Sequence, residues 1–209
     1  SFTAPTGTRD VLPPESARWS DLVARFADRA ARAGYGLVVS PMFEDLGVFQ
    51  RVGESTDIVT KEMYDFDDKG GRRIALRPEG TASVVRAFVQ HRPVGTPWKA
   101  WYVAPSFRYE RPQAGRYRQH HQLGIEALGS DDPDLDVEVI ALQADFYASL
   151  GLRQVDLLVN SMGTAEDRRA YTDELGRWLA ERIDDVDPAD RATAAANPMR
   201  VLDSKRPAT

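Results

Sequence analysis

The stretch FRYERPQAGRYRQHHQLGIEALG, residues 107–129, decides how this chain folds. It places four arginines (Arg108, Arg111, Arg116, Arg118) with Glu110, Glu126, His120, His121 and Gln122 around the turn-forming Pro112-Gln113-Ala114-Gly115. From Trp101 to Glu110 the odd positions are Trp101, Val103, Pro105, Phe107 and Tyr109, and the even ones include Ser106, Arg108 and Glu110. The alternation recurs from Arg116 to Ala127, blurred by Gln119 and His121. A period of two is the signature of a strand, so an antiparallel pair is predicted. If residues 111–115 close a hairpin that pairs 110 with 116, then 108 faces 118, 106 faces 120 and 104 faces 122. Arg108, Glu110, Arg116, Arg118, Gln122 and Glu126 then share one sheet face, and a slip of one residue would scatter them. The opposite face, aromatic and aliphatic, is expected to pack on a helix.

Outward from the pair, the spacing predicts a helix over 15–33, with Trp19, Leu22, Val23, Phe26, Ala30 and Ala33 on one stripe and Gly34 as its stop. GLVVSP at 36–41 reads as a short buried strand closed by Pro41. MYDFD and RIALR, either side of Asp68-Lys69-Gly70-Gly71, read as a second hairpin. A helix over 81–91 follows, and another from Asp132-Pro133, with Asp134 and Asp136 in its first turn, to Gly151. QVDLLVNS is predicted as a strand, Thr164 with Asp167 as a capping box, and Asp187-Pro188 as the start of a last helix. The elements describe an α+β fold, a mixed and mainly antiparallel sheet flanked by helices.

With 209 residues, 42% of them hydrophobic, the chain can bury a substantial core. Its 27 basic and 32 acidic residues give a net charge of -5, so any contact with nucleic acid has to use a local patch. The absence of cysteine excludes disulfides and thiolate zinc sites. No apolar run approaches the roughly 18 residues that span a bilayer, and a cytoplasmic location is expected.

Neither GxxxxGK[ST] nor GxGxxG is present, so a bound nucleotide would have to be held without a glycine cradle. Arginines on a sheet can do this, because a guanidinium offers phosphate two donors and stays charged. A solvated, charged sheet face is the competing reading. In LRPEGTASVVRA, residues 76–87, Glu79 sits where a strand passes into a helix. There it either receives a substrate ammonium or only serves the helix N-terminus, and Thr81 is placed to cap the helix. His120 and His121 are strand neighbours that point to opposite faces, so no metal site is expected.

These segments together resemble the N-terminal part of bacterial histidyl-tRNA synthetases, which are class II aminoacyl-tRNA synthetases. GYGLVVSPMFED matches class motif 1 with its proline at Pro41, the 107–129 stretch matches motif 2 in its histidyl form, and LRPEGTASVVRA, VNSMGT and NPMRVLDSK fit the same family. The resemblance implies ATP (with Mg2+), histidine and tRNA(His) as partners, and attack of the histidine carboxylate on the α-phosphorus. It implies that Arg108 is catalytic at the α-phosphate, that Arg108, Glu110 and Arg116 bind ATP, and that Glu79, Thr81, Gln122 and Glu126 bind histidine. Motif 1 implies a homodimer. The family continues into an Arg-Gly-Leu-Asp-Tyr-Tyr segment, motif 3 and an anticodon-binding domain. None of these occurs within residues 1–209, which are therefore expected to be part of a catalytic core with impaired activity alone. The histidine-sensing regulatory subunit of ATP phosphoribosyltransferase, a non-catalytic relative, is the alternative.

Overall fold

A computed structural model of the chain describes residues 2–53, 62–161, 163–204 and 206. The chain divides into two compact units, Ser1–Gln154 and Val155–Thr209. The first contains α1 (Glu15–Arg32), β1 (Gly36–Leu37), β2 (Phe43–Asp45), α2 (Leu46–Gly53), β3 (Asp65–Asp67), β4 (Arg73–Leu76), α3 (Thr81–His91), β5 (Trp98–Phe107), β6 (Gln119–Leu128) and α4 (Pro133–Ser149). β5 and β6 pair antiparallel, and β1 adds to β5 in parallel. A second sheet has the order β2-β4-β3, all antiparallel.

The central register is the predicted one, with Ala104 opposite Gln122 and Ser106 opposite His120. The odd face carries Trp101, Leu123, Ile125 and Ala127 onto Phe26 and Ala30 of α1 and Leu142 and Phe146 of α4. Phe26 meets Phe146 edge to face at 5.1 Å between ring centroids, and burying one such aromatic is worth about 1.5–3 kcal/mol. The even face is not left to solvent. Ala100, Tyr102 and Ala104 pack under Val84 of α3, because two alanines leave room for the helix to approach.

The predicted hairpin over residues 63–77 forms as β3 and β4. Asp68 organises its turn, its Oδ1 accepting N–H bonds from Gly70 at 2.8 Å and Arg72 at 2.9 Å, while Gly71 takes φ +76°. The start of α4 is also as read, since Asp132 Oδ1 accepts the Asp134 N–H at 3.0 Å and Pro133 holds the first helical position. Asp132→Ala is expected to cost about 1 kcal/mol, read as a lower urea midpoint at unchanged m. An unmoved midpoint would show that packing alone sets this helix start.

Four predicted boundaries differ. β1 pairs only through Gly36 and Leu37, because after Val38 donates to Trp101 O at 2.8 Å the chain turns into Ser40-Pro41, and proline has no N–H for a ladder. The hairpin loop is longer than five residues: paired strand ends at Phe107 and resumes at Gln119. QVDLLVNS is not a strand. Residues 152–160 take no regular secondary structure and Leu157, Leu158 and Val159 are exposed, and an apolar run becomes a strand only where a neighbouring strand takes its N–H and C=O groups. Asp187-Pro188 forms a turn in which Asp187 Oδ1 accepts the Ala189 N–H at 2.9 Å, so the helix begins later, at Arg191.

The second unit holds α5 (Ala165–Glu181), a 3-10 turn (Ile183–Asp185), α6 (Arg191–Ala196) and α7 (Pro198–Val201) around Leu179, Val186, Ala194 and Val201. The predicted capping box is present, with the Asp167 N–H donating to Thr164 Oγ1 at 3.1 Å and the Thr164 N–H to Asp167 Oδ2 at 2.8 Å. Met162 of VNSMGT and Lys205 of NPMRVLDSK lie outside the described residues. Among the described residues no helix is long and apolar enough to cross a membrane.

Candidate active site

The even face of β5 and β6, together with the turn into α3, brings Glu79, Thr81, Gln122 and Glu126 together. Glu79 leads into α3, and its carboxylate closes the helix N-terminus, accepting from Thr81 N at 2.6 Å and Ala82 N at 2.9 Å. Glu79 therefore caps the helix, and Thr81 does not: as first residue of α3, Thr81 directs its hydroxyl across to Glu126 Oε1 at 2.8 Å. Helix capping fixes the Glu79 carboxylate without exhausting it, since each oxygen accepts one N–H and keeps a second lone pair.

Gln122 is oriented by its neighbours. Its Oε1 accepts the Gly80 N–H at 2.9 Å and the Ser106 hydroxyl at 3.2 Å. A backbone N–H can only donate, so the amide oxygen has to face Gly80, and the NH2 group is turned the other way as a donor. Ser106, fully buried, is part of this arrangement through strand parity alone. Glu126 is partly buried, and burial raises its carboxyl pKa above the usual range. The Thr81 hydrogen bond opposes that rise, Glu79 adds to it and Tyr102 opposes it.

Arg108 lies just past the paired end of β5. Its Nε donates to Pro78 O at 2.9 Å and its backbone N–H to Arg118 O at 2.9 Å, and among the described residues no carboxylate ion-pairs with it. Among the described residues its terminal nitrogens have no hydrogen-bond partner. Glu110, nearly buried, forms an ion pair with the largely exposed Arg116. The backbone pairs Arg116 with Gln113 and not with Glu110, closing a tighter turn than the predicted one. Arg118 leaves the parity set: its guanidinium lies 4.0 Å from the Tyr109 ring centroid and its Nε donates to Glu110 O at 3.1 Å. Parity fails there because regular pairing has ended and the N-terminal arm has replaced it, with Arg118 N donating to Gly7 O at 2.7 Å. Gly7 has φ +82°, and a Cβ on it would meet Arg118 Cγ at 2.6 Å.

The two histidines separate as expected. His121 rests on Trp19 of α1 at 4.7 Å between rings, whereas burial and the charge of Arg108 lower the pKa of His120. Two residues near the site were not anticipated. Arg77, only 3% exposed, donates to Pro105 O at 2.7 Å, Ser40 Oγ at 2.9 Å, Ser40 O at 3.2 Å and Pro41 O at 3.3 Å, and burial holds its pKa below the usual value. Tyr102 stands beside Glu126, burial pushing its phenol up to about 12. The even parity of Tyr102 and its cross-strand partner Gly124 were the available signals for the latter; Arg77 had none.

A mixed, mainly antiparallel sheet flanked by helices, whose central hairpin ends in Arg108 beside a strand closed by Pro41, is a class II aminoacyl-tRNA synthetase-like fold. The histidyl-tRNA synthetase family model matches residues 7–170. A histidine–tRNA ligase of Geobacillus thermodenitrificans is 48% identical over 210 residues, covering 99% of this chain and 49% of its own length. The apo histidyl-tRNA synthetase of S. aureus superposes with a TM-score of 0.75 at 33% identity, over 99% of this chain and 49% of that one. An ATP phosphoribosyltransferase regulatory subunit/histidyl-tRNA synthetase from Bacillus halodurans shares the fold, with a TM-score of 0.68 at 21% identity over 93% of this chain and 54% of that one. The chain belongs to the histidyl-tRNA synthetase family. It spans about half the length of the curated relatives it matches.

Proposed function

We propose that the protein carrying this chain is a histidine–tRNA ligase. It activates histidine with ATP to histidyl-adenylate and pyrophosphate, then transfers the histidyl group to tRNA(His). The observation that carries this reading is the set of fixed groups on one sheet face: at one end a guanidinium with which no carboxylate pairs among the described residues, and at the other an oriented amide donor with a half-buried carboxylate. Arg108 holds the α-phosphate during in-line attack and offsets charge that develops there. Glu110 and Arg116 border the nucleotide, and Mg2+ arrives with the triphosphate. Glu79 keeps lone pairs for the substrate ammonium, the Gln122 NH2 faces the substrate carboxylate, and Glu126 accepts an imidazole N–H. A site built to hydrogen-bond such a group rejects analogues lacking it by roughly 10⁴ to 10⁵. Both compact units belong to the catalytic core in this reading, and the protein works in the cytoplasm.

The regulatory-subunit alternative shares the fold, but likeness at 21% identity speaks to fold alone, while the relative at 48% identity carries the ligase name. Histidine-dependent exchange of labelled pyrophosphate into ATP, in the longest native polypeptide containing this sequence, tests the proposal. Absence of exchange, or copurification with a short phosphoribosyltransferase, overturns it in favour of the regulatory subunit.

The same reading includes a two-fold dimer through motif 1. Leu37 (56% exposed) and Val39 (86%) line a groove of about 690 Å³ to which Pro41, Arg86 and Trp98 also contribute. A surface of that kind is normally covered in a stable protein. Sedimentation is expected to give a dimer at micromolar concentration, and Val39→Asp to shift it toward monomer. A monomer in the unsubstituted protein would remove this surface from the proposal.

A further inference from the structure

Tyr102 lies directly across the hairpin from Gly124. Its ring fills the space between two backbones. A Cβ on Gly124 would fall 2.3 Å from Tyr102 Cζ, and one on Gly80 would fall 2.2 Å from Cε2. Contacts that short are not tolerated, so the two glycines and the ring depend on one another: the cleft exists because both side chains are missing, and the ring cannot leave it without opening a void. What the cleft achieves is the placement of the phenol oxygen 3.4 Å from Glu126 Oε1, the same oxygen that receives the Thr81 hydroxyl at 2.8 Å. Among the described residues Glu126 Oε2 has no hydrogen-bond partner. Both local donors therefore converge on one oxygen of the carboxylate and leave the other without one. At 3.4 Å the phenol contact is longer than a relaxed O–H···O bond, and contacts of this type commonly tighten once a substrate is bound.

We infer that Tyr102 is a positioning residue for the carboxylate that recognises the substrate imidazole: wedged between Gly80 and Gly124, it holds Glu126 Oε1 so that Oε2 points at the ring N–H. The inference rests on the ligase reading. The polar and titratable groups facing Glu126 are Glu79 from the turn before α3, Thr81 from α3 and Tyr102 from β5. Burial keeps the phenol protonated, so it acts as a donor throughout the working pH range. Its hydrogen bond favours the ionised form of Glu126, and its removal raises the Glu126 carboxyl pKa further.

Tyr102→Phe preserves the ring that the cleft requires and deletes only the hydroxyl, so the variant is expected to fold with a melting temperature close to that of the unsubstituted protein. In full-length protein, pyrophosphate exchange is expected to show KM for histidine raised about 3- to 10-fold. KM for ATP and kcat stay nearly unchanged. The acid limb of kcat/KM for histidine moves upward by about half to one pH unit. Free histidine titrates identically in both assays, so a difference between them reports the enzyme. Calorimetric titration with histidine alone, expected to show the same fold weakening, gives the answer independently of turnover. A Tyr102→Phe protein with unchanged histidine KM, affinity and acid limb overturns the inference while leaving the ligase reading intact. No histidine-dependent exchange in the unsubstituted protein overturns both.

Discussion

Replacing Arg108 by alanine in the full-length protein is expected to lower histidine-dependent pyrophosphate exchange by about 10²- to 10³-fold, with most of the loss in kcat. The magnitude is that of removing one preorganised donor from a developing negative charge, about 3–4 kcal/mol. Its size depends on geometry. The Nε–H is already committed to Pro78 O at 2.9 Å, so the guanidinium plane is anchored, and among the described residues no carboxylate pairs with its terminal nitrogens. Arg108→Lys is expected to recover little, because a single ammonium cannot grip both the carbonyl and a phosphate oxygen. Since the alanine variant also leaves Pro78 O without this donor, its melting curve has to be recorded alongside. A fall in exchange under about tenfold in a normally folded variant would take Arg108 away from the reacting phosphorus, and the proposed mechanism would lose its centre.

The second large effect concerns stability and comes from Arg77. Alanine at this position is expected to cost about 3–4 kcal/mol, in the range for breaking a buried charged hydrogen-bond network. For a chain of this size the loss appears as a fall of roughly 6–16 °C in Tm. The guanidinium satisfies Ser40 O, Pro41 O and Pro105 O at once, three carbonyls that no strand ladder serves because two prolines interrupt the local pairing. Removing it leaves those three acceptors without the donor they share, and the guanidinium that serves them is itself only 3% exposed. Arg77→Met, which keeps the hydrophobic stem, is expected to lie between the two. A variant that melts within about 2 °C of the parent would show that these carbonyls find other partners. Because Pro105 adjoins Ser106, and Ser106 holds Gln122, the clamp also ties the motif 1 strand to the site.

Much of this was legible in the sequence, for identifiable reasons. Period-two alternation on both sides of Pro112-Gln113-Ala114-Gly115 gave the two faces of β5 and β6, and the pairing of 110 with 116 across that turn gave their register. Asp132-Pro133 and Thr164 with Asp167 announced their helices because capping is local chemistry that a few adjacent residues complete by themselves. Family membership followed from the run of segments around Pro41, Glu79 and Arg108. QVDLLVNS was misread because its alternation is a capacity for pairing, and pairing needs a second strand that no local sequence supplies. The start of the last helix was misplaced because Asp-Pro both opens helices and closes turns, and only the Asp187–Ala189 hydrogen bond distinguishes the two outcomes.

The sequence by itself determined the class of fold, the hairpin register and the set of polar residues on one sheet face, all of which depend on side-chain period and neighbouring residues. The tertiary structure decided how that set divides. It turned Glu79 into the cap of α3, drew Arg118 out of the face onto Tyr109, set Gln122 by a backbone N–H, and added Tyr102 and Arg77. The Glu79 cap is local, but the settings of Gln122, Tyr102 and Arg77 rest on contacts between segments far apart in the chain, where direction and distance in space, and not spacing along the sequence, determine which donor reaches which acceptor.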